Sequence, residues 1–194
     1  MQPRSPEFKA ERLDIQAFAK AGATLEGRTP IASMERLSAS AHGAPEGGDP
    51  TPEGEVRWTA HGEVRERLGA APQVWLHLSA ETALPMTCQR CLQPVVEPLE
   101  VDRWFRFVAS EEEAAEEDTD AEEDLLVLQR QLKLLELIED ELLLALPVIA
   151  RHDACPDPLP QPEDLADDAE EETKAPNPFA VLEALKKGPP RRRH

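Results

Sequence analysis

Tyrosine is absent from this sequence, and aromatic residues of all kinds make up only 4% of its 194 residues. Hydrophobic residues reach 40%, so a core can form, but it must be an aliphatic one. Cysteine is scarce as well. There are three, an odd number, and no apolar segment of signal-peptide type follows Met1. That combination disfavours a disulfide framework and makes a reducing cytoplasm the expected compartment. No stretch approaches the roughly 18 uncharged apolar residues of a spanning helix, so no membrane association is expected.

Basic residues are outnumbered, 21 Lys and Arg against 39 Asp and Glu, for a net charge of −18. The excess is concentrated in two places. Residues 111–124 hold ten carboxylates and no base, and residues 163–172 hold seven and no base. With those seventeen charges set aside from −18, the rest of the chain nets −1. Segments this polar bury too little apolar surface to offset their ordering entropy, and both are expected to be mobile. They are either solvated loops or arms that draw basic proteins and repel naked nucleic acid. Either way, the charge argues against a large phosphate-binding face.

What the chain does contain is clear periodicity. FKAERLDIQAFAKAG reads as helical or extended. In TPIASMERL, Thr29 can cap, Pro30 suits a first helical position, and Ile31, Met34 and Leu37 recur every three residues, which predicts a short helix. HGAPEGGDPTPEG is a Gly- and Pro-rich loop. Three alternating stretches follow. Val56, Trp58 and Ala60 share one side of the first, and Val74, Leu76, Leu78 and Ala80 one side of the second. Val95, Glu97, Leu99, Val101, Arg103, Phe105 and Phe107 make a longer, imperfect third. Period-two spacing means strands, and short links between them mean antiparallel pairing. The opening of LLVLQRQLKLLELIEDELLLALP reads as a further strand. From Leu132, the positions Leu135, Ile138, Leu142 and Leu146 keep helical spacing, with Lys133, Glu136 and Asp140 on a wet side, until Pro147. Such a helix is about 22 Å long.

The expected fold is therefore α+β: an antiparallel sheet, with barrel-like closure left open, covered by a long amphipathic helix. One domain is expected over residues 1–156, including the acidic loop 111–124. A Pro-rich, acidic linker at 157–175 and a short helix with a basic tail at 176–194 follow.

Cys88 and Cys91 stand in TCQRCLQPV, in the link between the second and third strands. A thioredoxin-like pair needs a helix after its first cysteine, and Pro94 with strand alternation follows instead. Two readings remain. Cys88, Cys91, His152 and Cys155 can form a closed Cys3His site for structural zinc, or the pair is a tight turn and His152 a surface residue. Further on, Asn177 and Pro178 can open a helix whose Phe179, Leu182 and Leu185 share a face. A helix this short needs a surface to hold it, either its own domain or a partner groove. Lys186, Lys187, Arg191, Arg192 and Arg193 form the one concentrated basic patch, a candidate RNA contact or a soluble end.

Three stretches, CQRCLQPV, LLELIEDELLLALPVIARHDAC and NPFAVLEALKK, together give a resemblance to the bacterial large ribosomal RNA subunit accumulation protein, the YceD family. The likeness runs from about Phe8 to Lys187. It implies a cytoplasmic, non-catalytic factor for synthesis, processing or stability of large-subunit ribosomal RNA, without a small-molecule substrate. Its implied partners are a ribosomal protein or a pre-ribosomal particle, with RNA contacted directly or at one remove. Some relatives carry a richer cysteine cluster after the helix, where this chain has His152 and Cys155. The alternative is a zinc-stapled interaction module of another cytoplasmic pathway. An enzyme is not expected, because mobile carboxylates do not hold catalytic geometry.

Overall fold

The computed structural model describes residues 7–42, 54–69, 71–117 and 121–156. The chain divides into two units, Met1–Cys155 and Pro156–His194, and every described helix and strand lies in the first. The expected linker at 157–175 and the helix and basic tail at 176–194 lie outside the described residues, as do residues 43–53 of the Gly/Pro-rich loop.

Five strands, β1 (Thr24–Pro30), β2 (Glu55–Arg65), β3 (Gln73–Thr87), β4 (Pro94–Val108) and β5 (Asp124–Val127), form one sheet in chain order. The first four pair antiparallel, as their short links require. β5 pairs parallel to β4, with Phe105 opposite Asp124 and Val108 opposite Val127. The sheet is therefore mixed rather than antiparallel, and it is open rather than barrel-like, because β1 and β5 stay at opposite edges. Parallel pairing needs a crossover of about a dozen residues, and residues 109–123 supply it.

That crossover corrects the expected acidic loop at 111–124. Its first half is helix α3 (Glu111–Glu117), and Asp124 opens β5. Ser110 Oγ accepts the Glu113 N–H at 3.2 Å, and Glu113 Oε2 accepts the Ala109 N–H at 2.9 Å. The helix entry is thus capped from both sides, and the three glutamates of its first turn favour the positive end of the dipole. Arg106, nearly buried on β4, binds Glu117 and Glu123 and ties both ends of the segment to the sheet.

The inner face of the sheet carries the alternation. Val56, Trp58 and Ala60, then Leu76, Leu78 and Ala80, then Leu99, Val101, Phe105 and Phe107 are all buried. Helix α1 (Ile15–Lys20) crosses this face, its first turn capped by Asp14 Oδ1 accepting the Ala17 N–H at 2.9 Å. It passes directly over Gly62. A Cβ there would lie 2.5 Å from the Phe18 ring and 3.0 Å from Ala19 backbone, so the crossing demands glycine.

The helix expected in TPIASMERL starts later than its sequence signals. Thr29 and Pro30 finish β1, where Thr29 Oγ1 accepts the indole N–H of Trp58 at 3.0 Å. A 3-10 turn (Ile31–Ser33) follows, and then α2 (Glu35–Ser40). Ile31, Met34 and Leu37 are all buried, as their spacing requires. Helix α4 spans Leu134–Leu144, about 16 Å rather than 22 Å. Its buried residues are Leu134, Ile138, Glu139, Glu141 and Leu142. Lys133 at its N-cap makes no side-chain cap. The Ala10 carbonyl takes the Leu134 N–H at 2.9 Å instead. Just before it, Leu13 and Leu132 exchange two backbone hydrogen bonds of 2.8 Å.

β2 pairs with β3 only as far as Arg57 opposite Glu81. β3 and β4 continue to Thr87 opposite Pro94. They project as a two-stranded arm, with residues 88–93 at its tip. Leu84 and Leu99 are buried along its inner side, and the Pro85 carbonyl accepts the His42 N–H at 2.9 Å.

Candidate metal centre

At the tip of the arm the chain turns tightly. Cys88 N–H donates to the Gln93 carbonyl and Leu92 N–H to the Cys88 carbonyl, both at 2.9 Å. Leu92 takes a positive φ of 61° to close the turn. The segment after α4 is stitched to this tip. Gln89 N–H donates to the Ala150 carbonyl at 2.9 Å, and Arg151 N–H to Glu97 Oε1 at 3.1 Å. These bonds carry His152 and Cys155 to the two earlier cysteines, 61 and 67 residues apart in sequence for the closest pairs.

The ligand atoms of Cys88, Cys91, His152 and Cys155 all lie within 4.8 Å of one another. Cys88 and Cys155 sulfurs are 4.0 Å apart, and Cys91 Sγ is 3.5 Å from His152 Nδ1. Zinc with bonds of about 2.3 Å to sulfur and 2.0–2.1 Å to nitrogen spaces tetrahedral ligands at about 3.8 Å and 3.5 Å. The observed separations match. His152 Nε2 lies 2.9 Å from the Pro94 carbonyl. That contact requires the proton on Nε2 and leaves the Nδ1 lone pair facing the sulfurs, the outer-shell arrangement that orients a metal-ligating imidazole. The four residues anticipated from sequence are thus brought together, and the set could hold a metal ion.

The electrostatics agree with such a role. Burial pushes the Cys88 thiol up, but hydrogen bonds from the backbones of Cys91, His152 and Arg90 outweigh it and bring it to about 5. Burial, followed by the neighbouring Cys155 and Cys88 sulfurs, pushes the Cys91 thiol up against a lowering contact with the Gln93 backbone. A cluster that favours one thiolate and opposes the next is relieved by a cation at its centre. The lowered Cys88 thiol is also what redox chemistry would use. However, Cys88 is fully buried, and reactive thiols are partly exposed. No helix follows it either: the turn runs directly into β4.

Arg90 is the residue that sequence reasoning passed over, although it stands inside CQRC. Its Nε–H donates to Cys155 Sγ at 2.9 Å, and its Nη2 donates to the His152 and Asp153 carbonyls at 3.0 and 3.4 Å. The contact with the Cys155 sulfur raises the guanidinium above its ordinary value. One side chain from the tip thereby fixes the segment that carries the other two ligands. The remaining sequence candidates, Asn177, Pro178, Phe179, Leu182 and Leu185 together with Lys186, Lys187, Arg191, Arg192 and Arg193, lie outside the described residues.

No helix of the described chain is long and apolar enough to cross a membrane. No solved structure matches the chain. Residues 76–186, more than half of it, match the model of a family described as large ribosomal RNA subunit accumulation protein YceD. The matched region opens in β3 and takes in the arm, its tip and all four clustered ligands.

Proposed function

Because the chain belongs to the YceD family, we propose that it is a cytoplasmic factor for accumulation of large-subunit ribosomal RNA, acting by binding and carrying out no catalytic step. The family match carries this reading. Clustered ligands add a structural part to it. Cys88, Cys91, His152 and Cys155 hold one zinc ion that staples the tip of the arm to the segment behind α4, with no coordination position left for a substrate. From the sequence, Asn177, Pro178, Phe179, Leu182 and Leu185 supply an amphipathic anchor for a partner groove. The basic residues from Lys186 to Arg193 supply the contact with RNA. The partner is a ribosomal protein or a pre-ribosomal particle.

The test is the ratio of large- to small-subunit ribosomal RNA in cells lacking the protein, restored with the wild-type chain or with Cys88→Ser. A lowered ratio that wild type rescues, and the variant rescues less well, supports both parts. An unchanged ratio removes the ribosomal reading and leaves an interaction module of another pathway.

A further inference from the structure

Two tryptophans stand on the outer face of the sheet, beside the part of that face where α3 and Glu123 pair with Arg106. Trp75 and Trp104 meet edge to face, with ring centroids 6.2 Å apart. His77 stacks on Trp104 at 4.5 Å and lies 2.8 Å from Asp102. Trp75 is nonetheless 7% exposed. Arg65 covers one side of it, with its guanidinium carbon 3.9 Å from the Trp75 ring centre and 4.4 Å from that of Trp104, and also binds Glu63. Glu116 and Glu117 of α3 stand beside it on another. The aromatic pair thus already grips one arginine.

Beside it opens a cleft of about 470 Å³, lined by both tryptophans with Asp102, Glu122, Glu123 and Asp124 against Arg65 and Arg103. Four carboxylates stand there. Glu123 pairs with Arg106, Asp124 with Arg103 at 3.5 Å and Asp102 with His77 at 2.8 Å, which leaves Glu122 as the one without an ion pair among the described residues. An exposed aromatic platform on a sheet is a common way to stack nucleobases, but the wall here has the wrong sign for phosphate. It has the right sign for a cation. Guanidinium combines planar stacking on tryptophan with paired hydrogen bonds to carboxylate, and the cleft offers both groups together.

We propose that this outer-face cleft, floored by Trp75 and Trp104 and walled by Asp102, Glu122 and Asp124, is a docking site for an arginine-bearing segment of a basic protein, with Arg65 as the internal occupant that the incoming arginine displaces. The proposal rests on the reading of the chain as a factor that acts by binding, and it gives that reading a surface for its protein partner. It uses Glu122 and Asp124, where the acidic crossover enters β5, as a wall, and it does not involve the metal centre or the C-terminal segment.

The experiment is calorimetric titration of the full chain, at physiological ionic strength, with a short peptide alternating arginine and glycine. The same peptide with citrulline for arginine and a single-stranded RNA oligonucleotide are titrated alongside. The arginine peptide binds and the citrulline peptide does not. Trp104→Leu and Glu122→Gln each weaken binding by about fivefold, and Arg65→Ala tightens it by emptying the slot. Glu122 is exposed, so its variant keeps the fold even if Trp104→Leu does not. Peptide binding indifferent to Glu122 and Trp104, equal binding of the citrulline peptide, or RNA binding that the peptide displaces from Trp104 each overturns the proposal. The titration is independent of ribosomal RNA levels in cells, so failure here leaves the ribosomal role standing and failure there leaves this site standing.

Discussion

Glu139 of α4 caps α2 from outside that helix. Its Oε1 accepts the Arg36 N–H at 2.8 Å and the Leu37 N–H at 3.1 Å, while Oε2 accepts two donors of the Arg36 guanidinium at 2.9 and 3.2 Å. A short helix whose own N-cap, Met34, makes no side-chain bond is completed by a carboxylate about a hundred residues away. Glu139→Ala leaves both N–H groups without a partner in a nearly buried site, a loss of about 2–3 kcal/mol. Arg36→Ala keeps the backbone bonds and costs less. Urea unfolding of the two variants gives that order, and a larger loss for Arg36→Ala contradicts the capping role.

A half-buried glutamate, Glu123, and a buried one, Glu141, respond to pH with opposite sign. Burial pushes the Glu123 carboxyl up, but the Arg106 hydrogen bond outweighs it and holds the group below its ordinary 4.5. Its contribution is present above 4.5 and is lost as pH falls through the lowered value. Glu141 is pushed above 4.5 by burial first, and by Asp124 and Asp140, against the opposing Arg103. It contributes stability below 4.5 and loses it as pH rises through the raised value. Glu123→Gln therefore destabilises at neutral pH and converges on wild type in acid. Glu141→Gln stabilises at neutral pH, and its gain disappears in acid. Thermal melts across that range read both curves.

Glycines at two crossings are not equivalent. A Cβ on Gly27 meets the Trp58 side chain at 2.5 Å, whereas one on Gly62 meets Phe18 at 2.5 Å and the backbone of Ala19 at 3.0 Å. A ring can shift on its rotamer, but helix α1 moves only as a whole. Both alanine variants destabilise by about 1–3 kcal/mol, with Gly62→Ala the worse. Equal midpoints in denaturant argue against a close crossing at Gly62.

Metal removal separates a staple from a turn. Protein purified without a histidine tag is expected to carry close to one zinc per chain. Cys88→Ser carries under about a tenth of that, and chelation lowers the melting temperature of wild type alone, since a structural site contributes folding energy directly. Metal-free wild type that melts unchanged with chelator makes the four residues a hydrogen-bonded turn.

The inner face of the sheet and the buried triplet Ile31, Met34 and Leu37 were legible in sequence, since period is a local property. The meeting of Cys88 and Cys91 with His152 and Cys155 was one of two readings, because local spacing shows each half of the cluster and not that the halves meet. The parallel β5 was not, because its direction depends on a crossover that read as an acidic loop. The cue was there in Ser110-Glu111-Glu112-Glu113, where a serine precedes a glutamate by three residues. Glu139 was not singled out in the sequence, since only tertiary contact brings the N–H groups of Arg36 and Leu37 to it. Trp75 and Trp104 fall on the outward phase of strands whose inward phase carried the argument, and alternation alone gives no sign that Trp75 is buried. Arg65, from the neighbouring strand, shields them.

The most direct measurement is crosslinked capture of the protein from growing cells, with recovered RNA and protein both identified. Enrichment of large-subunit ribosomal RNA, or of basic proteins from assembling large subunits, is the predicted result. Crosslinks at mapped nucleotides mean direct contact, and protein without RNA means action at one remove. Recovery of neither, from cells in which the protein is abundant, contradicts a role in the accumulation of large-subunit ribosomal RNA.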